Sequence, residues 1–179
     1  ICDNTATQNS GGGIECAGSS SPSLVNVTIS GNTAYNAGGI HTIETSNLSM
    51  INTVVFGNSA QEILISSGSV VVTFSNIEGG WEGFAGNGNY SWGAGNIGTN
   101  PLFIDADNGD YRLSDYSPAI GAGTSTGALD TDIEGNPRPN PSGSNPDMGA
   151  YENALGAPLE QTMYYVSTSG NVNGTGFSD

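Results

Sequence analysis

The sequence predicts an all-β chain wound as a right-handed parallel β-helix, with about 23–28 residues per coil and an irregular C-terminal cap. Three observations carry that prediction. First, "TISGNTAYNAGGI" (28–40) is echoed by "TVVFGNSAQEILI" (53–65), and Gly31-Asn32 recurs as Gly57-Asn58 after 26 positions. Second, glycine fills 28 of 179 positions, Val, Ile and Thr are plentiful, and lysine is absent; such a composition favours short strands joined by tight turns. Third, when the segments are overlaid, apolar residues fall on apolar residues, so stacked coils bury a continuous column that no single coil can form.

The elements follow in chain order. "ICDN" is a partial first copy, with Ile1 and Asn4 preceding Ile29 and Asn32. Ile14 then falls under Ile40, Leu24 under Met50, and Ile29 under Val55. The Gly-Asn pairs suit corners, where a positive φ is needed. A third copy, "VVVTFSNIEGG", places Asn76 above Asn52 and Asn26, and these three residues are predicted to form a structural ladder of stacked amides at one corner. The same register puts Cys16 inward and Cys2 outward; separate thiols compete with a disulfide. Around "GGWEGFAGNGNYSWGAG" the aromatic residues Trp81, Phe84, Tyr90 and Trp92 gather. Two readings compete for them: Trp81, Tyr90 and Trp92 as a carbohydrate-binding platform, or the cluster as a plug for the open end of the column.

Past Phe84 the repeat fades, and the blocks "SNIEGGWEG", "NPLFIDADNGDYRL", "SPAIGAG", "DIEGNPR" and "DMGAYE" follow in that order. Here the chain resembles bacterial surface and secreted proteins whose parallel β-helix repeats end in a choice-of-anchor Q region. The resemblance covers most of residues 1–152. It implies a secreted or cell-surface location in a bacterium and a cap closing the β-helix, and little about chemistry. The expected layout is coils over 1–83, a cap over 84–152, a linker over 153–162, and the start of a second β-helix domain over 163–179. In that last segment "YYVSTSGNVNG" resembles the opening strand and loop of this family's domains. The chain opens without Met in mid-repeat, so it reads as a window cut from a tandem array.

For chemistry, "DADNGD" stands out. Asp105, Asp107 and Asp110 around Asn108-Gly109 resemble a calcium loop, although the spacing departs from the EF-hand pattern, and a hairpin turn competes. Calcium is the one cofactor the sequence suggests. Asp130, Asp132 and Glu134 form a second, weaker cluster. Arg112 and Arg138 are the only fixed cations, with Asp110, Asp115, Asp147 and Glu152 as candidate partners. A lyase acting on polyuronates needs a base on its coil face, and none is written there. Glu15 and its neighbour one coil up, His41, could form an acid/base pair or a plain surface hydrogen bond, and no Ser–His–acid motif surrounds the single histidine. No catalytic residue is assigned.

A net charge of −15 disfavours nucleic acid and anionic bilayers as partners, and no run of 18 apolar residues marks a membrane span. The sequence therefore points to a non-enzymatic structural or adhesive module of a large surface protein or filament. Its expected partners are neighbouring β-helix domains, other copies and glycans. A fragment of a polysaccharide-active enzyme lacking its catalytic coils, and a carbohydrate-binding module, are the alternatives.

Overall fold

The computed structural model describes residues 1–7 and 11–160; the segment at 163–179, read as the start of a second domain, lies outside them. Each coil carries three short β runs, so the solenoid has three parallel faces. The first stacks β1 (Ile14–Cys16), β4 (Ile40–Thr42), β7 (Ile63–Ile65) and β10 (Phe84–Gly86). The second stacks β2 (Ser23–Val25), β5 (Asn47–Ile51), β8 (Ser69–Thr73) and β11 (Asn89–Trp92). The third holds β3 (Thr28–Ser30), β6 (Val54–Phe56) and β9 (Asn76–Ile77). The chain is all-β and forms the predicted parallel β-helix.

Register explains the core. Ile14, Ile40, Ile63 and Phe84 stand one above another. So do Leu24, Met50, Val72 and Trp92, and Ile29, Val55 and Ile77. Because side chains alternate along a strand, the residues at every second position point inward and merge into one apolar column. Burying each Ile, Leu or Val contributes about 1.5–3 kcal/mol. Cys16 belongs to this column, opposite Thr42, whereas Cys2 pairs with Ser30 on the third face; both thiols are free. Burial, with Glu15 adding to it, pushes the Cys16 thiol up.

The coils run on past Gly83. Phe84 to Trp92 still stack in parallel on β7 and β8, so the boundary between coils and cap moves later than the sequence placed it. The repeat was hidden because aromatic residues replace aliphatic ones at the inward positions. Beyond Trp92 the chain forms an antiparallel hairpin of β12 (Phe103–Asp105) and β13 (Asp110–Leu113), followed by irregular chain. This C-terminal region lies along the third face of the solenoid. Outward-facing Val54 joins Leu113, Ala119, Ile120 and Met148 in a second core, with Phe56 and Phe103 against it.

Candidate functional site

The asparagine ladder exists, at a different corner and built from different residues than predicted. Asn32 Oδ1 accepts hydrogen bonds from the Asn4 backbone N–H and side-chain amide, at 3.0 and 2.8 Å. Asn58 Oδ1 accepts the matching pair from Asn32, at 3.0 and 2.9 Å. The series ends on Glu62, whose carboxyl takes both donors of Asn58, at 2.8 Å from the backbone and 2.6 Å from the side chain. Gly31 and Gly57, at φ 68 and 75, make the turns that aim Asn32 and Asn58 into the stack. The repeated Gly-Asn pair was thus the visible signal.

Asn26, Asn52 and Asn76 do not bond to one another. Asn76 pairs with Val54, so it sits two residues out of the predicted register. The residue in Asn52's place is Phe74; all three corner residues, Asn26, Asn52 and Phe74, have positive φ of 52, 50 and 47. The asparagines instead hold the C-terminal region. Asn52 exchanges two 2.8 Å bonds with the Thr124 backbone, like one strand residue with another. Asn26 accepts from Leu129 N–H at 3.1 Å and donates to Asp147 O, and Asn76 donates to Thr99 O at 2.8 Å. All three are buried; these bonds offset the desolvation of the Asn26 and Asn52 amides, whereas at Asn76 only the amide N–H is satisfied and Oδ1 has no hydrogen-bond partner among the described residues.

Glu62 sets a pH dependence. Burial, reinforced by a hydrogen bond with the Glu78 carboxyl that only a shared proton allows, raises Glu62 to about 7. Burial likewise raises Asp147 to about 7. A carboxyl that holds its proton more tightly folded than unfolded stabilises the fold most below its unfolded value, and that contribution is lost as pH rises through about 7. The melting temperature is therefore expected to be higher at pH 5 than at pH 8. Scanning calorimetry on Glu62→Gln should show a smaller difference; an unchanged slope would rule out Glu62 as a source.

The acidic loop that resembled a calcium site forms the competing hairpin. A single 3-10 turn (Ala106–Asn108) and Gly109 at φ 80 reverse the chain. The three carboxylates have separate fates. Asp105 accepts from the Asn108 amide at 2.7 Å, and exposed Asp107 is held by neither. Asp110 accepts from Arg112 Nε at 2.8 Å, and that hydrogen bond holds its carboxyl down at about 2. Among the described residues no three acidic, His or Cys side chains gather as a metal site. In the second cluster, burial opposes ionisation of Asp132, but donors from Glu134, Asn136 and Glu152 outweigh it and hold the carboxyl below its usual range. Both arginines find acidic partners in the C-terminal region. Arg112 forms an exposed pair with Asp110, and Arg138 a fully buried one with Glu152 at 3.0 Å.

The aromatic group divides. Phe84, Tyr90 and Trp92 occupy the inward positions of the last coil, over Ile63, Val70 and Val72. Tyr90 stacks on Phe84 with centroids 4.6 Å apart, and Trp92 meets Phe84 edge-on at 6.1 Å. They close the column, yet Tyr90 remains 39 % exposed. Trp81 makes no ring contact with them; it sits 60 % exposed on a 3-10 turn (Gly80–Gly83).

The outward side of the first face brings together residues from three coils. Glu15 and His41 pair in register, with Glu15 Oε2 3.5 Å from His41 Nδ1. His41 Nε2 lies 2.8 Å from the hydroxyl of Ser66, which directly follows β7. Sequence reasoning found the first pair and missed Ser66, because Ser66 lies 25 residues from His41 and matches no repeat of either partner. Comparison with protein-family models, with curated proteins and with solved structures finds no match for the chain.

Proposed function

We propose that this chain is a structural module of a secreted or cell-surface bacterial protein, extending a rod by stacking its last coil on the first coil of another β-helix. The observation that carries this reading is the aromatic end. Among the described residues, strands β10 and β11 have a parallel partner on one side only, and Phe84, Tyr90 and Trp92 present an apolar layer in line with the buried column. At the opposite end Ile14 and Leu24 are only partly buried, at the matching column positions. Such an end-to-end contact joins unlike surfaces, so it propagates instead of closing into a dimer. The family resemblance supplies the surface location.

The charge of −15 opposes the contact at low ionic strength and is screened at high salt. Sedimentation velocity at 0.5 M NaCl is therefore expected to show a concentration-dependent series of oligomers, and Tyr90→Asp to return the protein to monomer. A monomer at every concentration and salt level would remove the stacking role. The exposed ring of Trp81 supports a second reading, adhesion to glycans. A glycan array would favour that reading if binding is present and lost in Trp81→Ala.

A further inference from the structure

We propose that Ser66, His41 and Glu15 form an acyl-transfer site on the outer side of the first face, with carboxylic esters of acidic alcohols as its substrate class. This inference does not depend on the stacking role. The order acid, imidazole, hydroxyl runs up three successive coils: Glu15 Oε2 to His41 Nδ1 at 3.5 Å, and His41 Nε2 to Ser66 Oγ at 2.8 Å. In the tautomer carrying its proton on Nδ1, the free Nε2 accepts the Ser66 proton. Ser66 is exposed, so an ester can reach it. The hydroxyl oxygen attacks the ester carbonyl as its proton passes to Nε2; the C–O bond to the alcohol then breaks, and His41 returns that proton to the departing alkoxide. Water, deprotonated by the same nitrogen, releases the acid and restores Ser66.

Glu15 is a positioning residue. Its 3.5 Å separation is long for a hydrogen bond in the resting state, and the attraction grows when His41 becomes the imidazolium. The surroundings narrow the substrate. The Ser66 and Ser67 backbone N–H groups both point to the Thr42 carbonyl, so neither stabilises an oxyanion, a contribution worth about 10²–10³ in rate elsewhere. Amides, with poor leaving groups, are therefore excluded, and activated esters remain. Leu64 and Ala85 continue the outward row above His41 and offer a small apolar strip for a short acyl chain.

The test uses the full chain with p-nitrophenyl butyrate and a fluorophosphonate probe. The probe should lose fluoride and leave its phosphonyl group on Ser66, located by peptide mass spectrometry; with no lysine in the chain, background acylation is low. Ser66→Ala, at an exposed position, should keep the native circular dichroism while losing the adduct and at least about tenfold of the ester hydrolysis. His41→Gln should lose both as well. Glu15→Gln should lower kcat by about tenfold with KM unchanged and shift the pH–rate profile, a change that a purely structural role would not produce. A wild-type rate equal to that of Ser66→Ala, an adduct on another residue, or labelling of Ser66 that persists in His41→Gln would each overturn the proposal. In those cases the 2.8 Å contact is a surface hydrogen bond between coils.

Discussion

Asn32→Ala is expected to lower the unfolding free energy by about 3 kcal/mol, and the melting temperature by about 10 °C. The side chain is fully buried and serves the coils on both sides. Its oxygen satisfies Asn4 N–H, and its amide reaches Asn58 Oδ1 and Ile1 O. Alanine leaves the Asn4 backbone N–H without its partner, takes one of two donors from Asn58 Oδ1 and from Ile1 O, and empties a buried position at the corner. Asn32→Asp retains the acceptor and sets a second oxygen against Asn58 Oδ1, so it should be no better tolerated. Urea titrations of the two variants measure this; a loss below about 1 kcal/mol would mean that the ladder contributes little.

Arg138→Met is expected to cost about 3–5 kcal/mol, because it strands the buried carboxylate of Glu152. Neither side chain of that pair is exposed, and the guanidinium also donates to the carbonyls of Asp147 and Gly149. Much of the cost lies in the unpaired charge that remains, so adding Glu152→Gln should recover part of it. A double-mutant cycle by chemical denaturation separates the two effects; strictly additive losses would show that the pair is not coupled. Arg112→Met, at the exposed pair with Asp110, serves as the control and should leave the midpoint unmoved.

The part of the fold that repeats was legible in the sequence, because a stacked column demands the same kind of residue at the same place in each coil. Ile14 under Ile40, Leu24 under Met50 and Ile29 under Val55 are all found in register. Errors arose where like residues coincide by chance. Identity matches Asn76 to Asn52, while the true counterpart is the chemically unlike Phe74, which shares the corner's register and positive φ. The C-terminal region carries no period, so nothing in the sequence announced that Thr124 and Leu129 would meet Asn52 and Asn26. Ser66 was illegible for a related reason: the coils shorten toward the C-terminal end, and its approach to His41 depends on that change.

Repeat proteins ordinarily behave as beads on a string, each unit stabilised only by its immediate neighbours and free to fray by itself. The buried corner asparagines change that here. The bond from Ala150 to Thr28 spans 122 residues, and that from Asp147 to Asn26 spans 121. Tyr111 reaches back 108 residues to Asp3. The first coil is therefore tied to chain that is synthesised more than a hundred residues after it. Until then Asn26 and Asn52 lack the partners that offset their burial, and the early coils remain half-finished. Once the strap is in place, the first coil cannot unravel without releasing it, so its opening is coupled to that of the C-terminal region.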